Sequence, residues 1–434
     1  MRALRFAAFF SGQLGVMCLA RFFFAWVLRY ADQRDAAGGA LFVAATVGFV
    51  FLFARIFDGV LDPVIGSLSD RYAARGRDRS RFLWYSGWSV ALGLVLSFAP
   101  GLEQAPAVRW SLLLGGFFIF FVGYTFYSIP LWSLVDDFGG DDRRERAIYS
   151  NLLGLGLLAA VAVVSIVAPP IIGSHGYSRA ALYFAIPATL LMLLPPLARP
   201  PGLPQRPPRP DVVAAHQGGL RAMLGALKHR RFAAVLVLFC GSQMALTTVN
   251  VASPFIAERL LGGTEADVAK LMGPFLGTAL PCFALVPWVS RRIGWEKAMV
   301  GATLGLALVY VGVSALGASL VGSPMTTAMI VFGSGGPMVA MLLGLEGEAV
   351  AECAREAGGE RVSLYFGVFN MWVKALNGVA TFTTGILVTV SATPELRVLA
   401  TRGMGLSASL MLLVGCGLYF VLRPPRHTTT VAAT

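Results

Sequence analysis

Residues 54–79 read ARIFDGVLDPVIGSLSDRYAARGRDR. The stretch begins inside an apolar run and ends in a cluster of arginines, yet Arg55, Asp58 and Asp62 lie in the apolar part. A charge at the centre of a bilayer costs about 2.5–3.5 kcal/mol on insertion scales, so three in one span demand partners or water. Asp58 and Asp62 are four residues apart, which on a helix puts both carboxylates on one face, one turn from each other. Arg55 precedes Asp58 by three and shares that side. Pro63 has no N–H to donate and frees a carbonyl that can line a cavity. Two readings fit. In one, Arg55 and Asp58 neutralise each other and Asp62 caps the end of the span. In the other, the two acids form a site for Na⁺ or for a proton relay. The second acid favours the latter, because a single ion pair does not need it.

The surrounding chain fixes the class. Of its 434 residues 56% are hydrophobic and 13% charged, against about 25% charged in soluble domains. This is the composition of an all-α polytopic membrane protein. The net charge of +12 is read as topology and attraction to anionic lipid rather than nucleic-acid binding. Five cysteines and four histidines show no metal-ligand spacing, so neither a metal nor a cofactor is expected. GxSxG, HExxH and P-loop patterns are missing, which argues against an enzyme.

A span needs roughly 20 apolar residues, and twelve stretches qualify: 6–29, 41–66, 83–99, 108–134, 149–172, 181–198, 232–257, 266–289, 298–317, 324–345, 362–390 and 404–422. The proline- and arginine-rich segment 199–231 reads as a linker between a six-span half at 1–198 and a second at 232–434. Basic residues crowd the loops after spans two, four and eight and the linker, which places both termini in the cytoplasm by the positive-inside rule. The loop at 346–361 breaks the pattern with Glu346, Glu348, Glu352, Glu356 and Glu360. A basic turn recurs in the two halves, GSLSDRYAARGRDR and VSRRIGWEKA. Paired six-span halves are a transporter architecture.

Three stretches carry a resemblance. FARIFDGVLDPVIGSLSDR (53–71) resembles the span-two signature of the glycoside-pentoside-hexuronide:cation symporters, the melibiose-permease branch of the major facilitator superfamily. GYTFYSIPLWSLVDDFGGDDRRERAIYSN (123–151) and ERVSLYFGVFNMWVKALNG (360–378) are similar to that family's span-four and span-eleven segments. The resemblance implies a major facilitator fold and a plasma-membrane monomer that moves a sugar or sugar acid with H⁺ or Na⁺ by alternating access. It implies cation-site roles for Asp58, Asp62, Thr125 and Lys374. It also places Tyr124, Ser128 and Trp132 beside the solute cavity, though ordinary helix packing explains the aromatics equally well.

The departures redirect the reading. Leu61 stands where sodium-using members tend to carry Asn, and Ser128 where they carry an acid, so H⁺ is favoured over Na⁺. The span-one acid of sugar members falls near Val16, and Arg21 is the nearby charge instead. Arg21, Arg55 and Lys374 outnumber Asp58 and Asp62, which points to an anionic solute held by Arg21 and Arg55. A sugar acid, a phosphorylated sugar or a lysophospholipid-type amphiphile fits. A non-transporting sensor or scaffold on the same fold is the alternative of another class. Arg71, Arg75 and Arg77 are expected to latch the cytoplasmic side against Asp137, Asp141 and Asp142, with Asp136 a further candidate.

Overall fold

The structure is a computed structural model that describes residues 2–36, 38–140, 142–197, 225–317, 322–357 and 362–424. Most of the linker at 199–231, together with Asp141 and Glu360, lies outside the described residues. Long apolar helices dominate, with no strand among the described residues.

Nine of these helices are long and apolar enough to cross a membrane, and a pair bent by 60° between Phe283 and Val286 raises the number to ten. Two more spans are hidden by local geometry. The helix Arg143–Met192 is interrupted at Gly176, whose φ of 77° and ψ of 171° suit a residue without a Cβ. It is therefore two spans, five and six, joined by one turn. Arg81–Ser97, span three, has 17 residues. The remaining spans are one (Arg2–Ala31), two (Ala44–Ala74), four (Pro106–Gly139), seven (Arg230–Arg259), eight (Val268–Phe283 with Val286–Ile293), nine (Trp295–Ser314), ten (Pro324–Glu356), eleven (Val362–Val390) and twelve (Arg397–Leu422).

Two boundaries move relative to the sequence expectation. Span two continues through Ala74, so Asp70 and Arg71 are helical. Span ten continues to Glu356, so Glu346, Glu348 and Glu352, expected in a loop, belong to a helix. Hydropathy falls at these acids, but the backbone keeps its helical hydrogen bonds; composition ends the apolar window before the helix ends.

Each half packs internally through close helix contacts, one with five and six, three with four, seven with twelve and eight with ten. The halves meet along spans two and eleven, and again where span five meets span eight. The two–eleven seam is lined by small residues. A Cβ on Gly385 would lie 2.6 Å from the Ala44 carbonyl oxygen, one on Gly48 2.9 Å from Phe382 Cα, and one on Gly378 3.0 Å from Leu52 Cα. Helices in lipid gain no hydrophobic drive from one another, so close backbone approach at small residues is what holds such a seam. Behind it the first half has a dense aromatic core. Phe23 stacks on Phe120 at 4.3 Å between centroids and meets Phe51, Phe98, Phe117 and Phe121 edge-on or stacked.

At the end where spans one and seven finish, called the far end below, charged residues join the halves. Arg29 reaches Glu258 and Glu265, each at 2.8 Å. Asp32 pairs with Arg34 at 3.0 Å and with Arg259, which also bonds Ser391. Arg397 holds Glu258 at 3.2 Å, and the Tyr177 hydroxyl donates to Glu265 at 3.4 Å. At the opposite, near end, the described ion pairs stay within one half. Arg79 bridges Asp70 and Asp137 at 3.2 and 3.0 Å. Arg231 holds Glu296 at 2.8 Å, pairs with Glu356 and stacks on Trp295.

Gly385→Val should force spans two and eleven apart and destabilise the fold by about 1–3 kcal/mol, the usual cost of overpacking. Gly301→Ala, whose Cβ meets nothing within 4 Å, serves as control. Thermal unfolding of the purified variants in detergent reads the difference; equal midpoints would refute a tight seam.

Candidate functional site

Span two places Arg55, Asp58 and Asp62 on one face, as the spacing required, and turns that face toward spans four and eleven. Pro63 lies inside the helix and leaves the Gly59 carbonyl without its intrahelical donor. Gly59 presents only backbone there, against Met371 of span eleven, so the two spans stay close at the level of the acids.

The four charges form one network. Arg55 Nη1 donates to Asp58 Oδ2 at 2.6 Å. Thr125 Oγ1 of span four donates to Asp58 Oδ1, also at 2.6 Å. Lys374 Nζ of span eleven donates to Asp62 Oδ2 at 2.6 Å and lies 3.2 Å from Asp58 Oδ2. Asp58 is fully buried. Asp62 Oδ1 is buried and has no described hydrogen-bond partner. The Arg55 guanidinium lies 4.9 Å from the Phe24 ring centroid and 5.9 Å from that of Phe121. The aromatic core thus forms a dry wall on which the cation gains quadrupole attraction. Lys374 sits 5.9 Å from the Tyr124 ring. Two cations compensate two carboxylates, the condition under which charges persist in a low-dielectric interior.

The other sequence candidates divide. Arg21 is partly buried and has no ion pair or hydrogen bond among the described residues; Tyr124 and Arg55 are the polar groups in electrostatic range. Ser128 spends its hydroxyl on the Tyr124 carbonyl of its own helix, at 2.7 Å. Trp132 donates its indole N–H to Gln13 Oε1 of span one at 3.2 Å. Arg71 and Arg75 are exposed and make no ion pair among the described residues. Arg77 stacks on Tyr72 at 5.5 Å. Asp142 caps span five by accepting from the Arg144 amide at 2.8 Å. Asp137 is brought to Arg79, a residue the sequence reading did not select.

Two sets of residues escaped that reading. One is the far-end network, whose members sit at helix ends, where single charges look like ordinary loop polarity. The other is a pair inside the second half. Gln243 of span seven donates through Nε2 to Glu346 Oε2 of span ten at 2.7 Å. Glu346 adds a third acid to the interior, one that was absent from the charge balance drawn from the sequence. A repeat could have drawn attention to it. RFAA at 5–8 is followed by Gln13 and RFAA at 231–234 by Gln243, with one extra helical turn between motif and glutamine.

Comparison with known proteins agrees with this architecture. The profile described as MFS/sugar transport protein matches residues 12–423. The chain belongs to this family. It is a family of membrane transporters rather than enzymes, and the chain is an integral membrane protein of the all-α major facilitator fold. The isoprimeverose transporter of Lactiplantibacillus pentosus is 24% identical over 287 residues, which cover 62% of this chain and 56% of that protein. The uncharacterized symporter YjmB of Bacillus subtilis (strain 168) is 25% identical over 34% of this chain and 31% of its own length. The chain thus spans about half, or less, of the curated relatives it matches. Among solved structures, a bacterial homologue of the human lysosomal transporter Spinster, inward-facing and unoccupied, superposes with a TM-score of 0.69 at 12% identity over 97% of this chain and 96% of its own. A single-residue mutant of the peptide transporter POT in complex with alafosfalin gives 0.67 at 13% over 96% and 94%. These likenesses are of fold.

Removing one member of a buried ion network strands the others, so Lys374→Met should destabilise the protein by about 3–5 kcal/mol. The double variant Lys374→Met, Asp62→Asn should recover part of the loss, because it removes a charge of each sign. A double-mutant cycle of thermal unfolding in detergent measures the coupling; strictly additive effects would show that the two residues do not interact.

Proposed function

We propose that the protein is a cation-coupled symporter that carries a sugar-type solute by alternating access. The observation that carries this reading is Lys374, a residue of the second half, clamped on Asp58 and Asp62 of the first. Whatever neutralises an acid of this site weakens the tie between the halves. Cation occupancy therefore biases their relative orientation, and a ligand shifts such an equilibrium only through its different affinity for the two states. The family match and the relative named for isoprimeverose transport support the sugar-type solute.

A proton suits the site better than Na⁺. Both oxygens of Asp58 are taken, by Thr125 on one side and by Arg55 and Lys374 on the other. Asp62 keeps one free oxygen. Na⁺ takes several oxygen ligands, so it would have to displace Lys374 and gather more oxygens; a proton needs one carboxylate oxygen. Leu61 supplies none.

Arg21 supports an anionic group on the solute. Among the described residues it is an interior cation without a partner once Arg55 and Lys374 are spent, and a carboxylate or phosphate would complete it. The basic loops support an orientation with both termini in the cytoplasm, in the inner membrane of a two-membrane cell. In that orientation the far-end ion network would seal the outside, which supports an inward-facing state. Arg79 and Arg231, each bound within its own half, keep the cytoplasmic ends of the halves intact as rigid units. Arg71 and Arg75 remain available to pair across the halves in the opposite state.

In proteoliposomes, solute accumulation should follow an imposed pH gradient without sodium. Strict sodium dependence at constant pH would overturn the proton reading. Asp58→Asn should abolish gradient-driven accumulation while retaining exchange of solute down its own gradient; loss of both equally would count against a coupling role. At the far end, Asp32→Asn leaves the Arg259 charge buried without its partner, a cost of about 3 kcal/mol that vanishes once the gate opens and Arg259 is hydrated. Spin labels at Ala36→Cys and Ala392→Cys should therefore gain a longer-distance population in that variant. An unchanged distance distribution would exclude a latch.

A further inference from the structure

Glu346 is a carboxylate in the interior that the coupling site does not use. Asp58 and Asp62 are each held by cations. Glu346 has Gln243 as its described hydrogen-bond partner and no cation beside it among the described residues. An intramembrane acid without a counter-ion is costly and marks a functional position by default. Its depth matches that of the coupling site. Glu346 precedes the near end of span ten, Glu356, by ten residues, about 15 Å at 1.5 Å per residue, and Lys374 follows Val362 by twelve, about 18 Å.

The pair also has a counterpart. Gln13 joins span one to span four through Trp132, and Gln243 joins span seven to span ten through Glu346. Spans one and seven occupy equivalent places in the two halves, as do four and ten. The same glutamine-centred bridge therefore occurs twice, with an indole as partner in the first half and a carboxylate in the second. Gln243, Glu346 and Trp132 are all partly accessible, so none is spent wholly on packing.

We infer that Gln243 and Glu346 form the hydroxyl-binding wall that the second half contributes to the solute site. The chemistry fits a pair of neighbouring sugar hydroxyls. The amide N–H holds one carboxylate oxygen and fixes the group's orientation. Glu346 Oε1 and Gln243 Oε1 then remain as acceptors for two O–H donors, and hydrogen bonds to a charged acceptor are the stronger kind. With Arg21 in the first half, the site is polar end to end. An anionic group is drawn to Arg21 and repelled by Glu346, whereas hydroxyls are drawn to Glu346, so the wall sets which way round the solute lies. This inference rests on the reading of the protein as a transporter of sugar-type solutes.

The test is counterflow exchange by the full chain in proteoliposomes with labelled isoprimeverose, xylose and glucuronate. For whichever probe the wild type exchanges, Glu346→Gln should raise the half-saturation concentration about 10- to 100-fold, the loss of one or two hydrogen bonds to a charged group. Exchange at saturation and its pH profile should stay as in the wild type. If affinity is unchanged, the inference falls while the transport reading stands. If affinity holds but the pH profile is lost, Glu346 carries a proton rather than solute hydroxyls, and the inference is again overturned. If the wild type exchanges none of the three, the sugar-solute reading fails and takes this inference with it. Should Glu346→Gln not survive purification, Gln243→Ala, which removes the amide that orients the same carboxylate, must give a comparable loss of affinity or the inference fails.

Discussion

The contact between Lys374 and the two aspartates of span two is the constraint on which the rest of the architecture depends. Two interior carboxylates on one helix are tolerable only if countercharge reaches them, and Arg55 supplies half of it from the same helix. The other half comes from the opposite end of the sequence. Spans two and eleven must therefore run side by side at mid-depth, and glycines on both helices let them do so. The aromatic core has a matching role, since the rings of Phe24 and Phe121 exclude water behind Arg55 and leave it few partners but Asp58. Packing, seam and charge pairing solve one electrostatic problem together.

Much of this was legible in the chain. Apolar runs of about 20 residues gave the number of spans, because the bilayer imposes a length that composition must meet. The four-residue spacing of Asp58 and Asp62 gave their common face, because helical periodicity leaves no alternative. Thr125 and Lys374 came from resemblance to a family, and the structure brings both to Asp58. What stayed hidden depends on contacts rather than patterns. Glu346 lies where hydropathy is already falling, and only the continuing backbone of span ten shows it to be an interior acid. Asp137 is expected to pair with loop arginines, and the described arginine that reaches it is Arg79, placed by the turn between spans two and three. Arg29, Asp32, Glu258 and Arg259 look like separate helix ends until the halves are brought together.

The distribution of ion pairs also has meaning. Among the described residues, those at the near end bind helices within a half, while Arg29 and Arg259 at the far end bind one half to the other. Charged contacts exposed to water in one state and shielded in another are suited to reversible closure, since hydration replaces them when they part. A hydrophobic seal of the same area would have to expose apolar surface each time it opened.

The glycine seam between spans two and eleven has a mechanical consequence. Backbones in contact along that line cannot separate cheaply, but they can pivot, so the seam acts as a fulcrum. Asp58, Asp62 and Lys374 sit almost on it, and the far-end network sits at the tip of the lever. In the proposed cycle, a proton moved at the fulcrum would displace these three residues very little while the tips travel furthest. The buried charges would then stay dry and nearly still, with the large motion where water is already present.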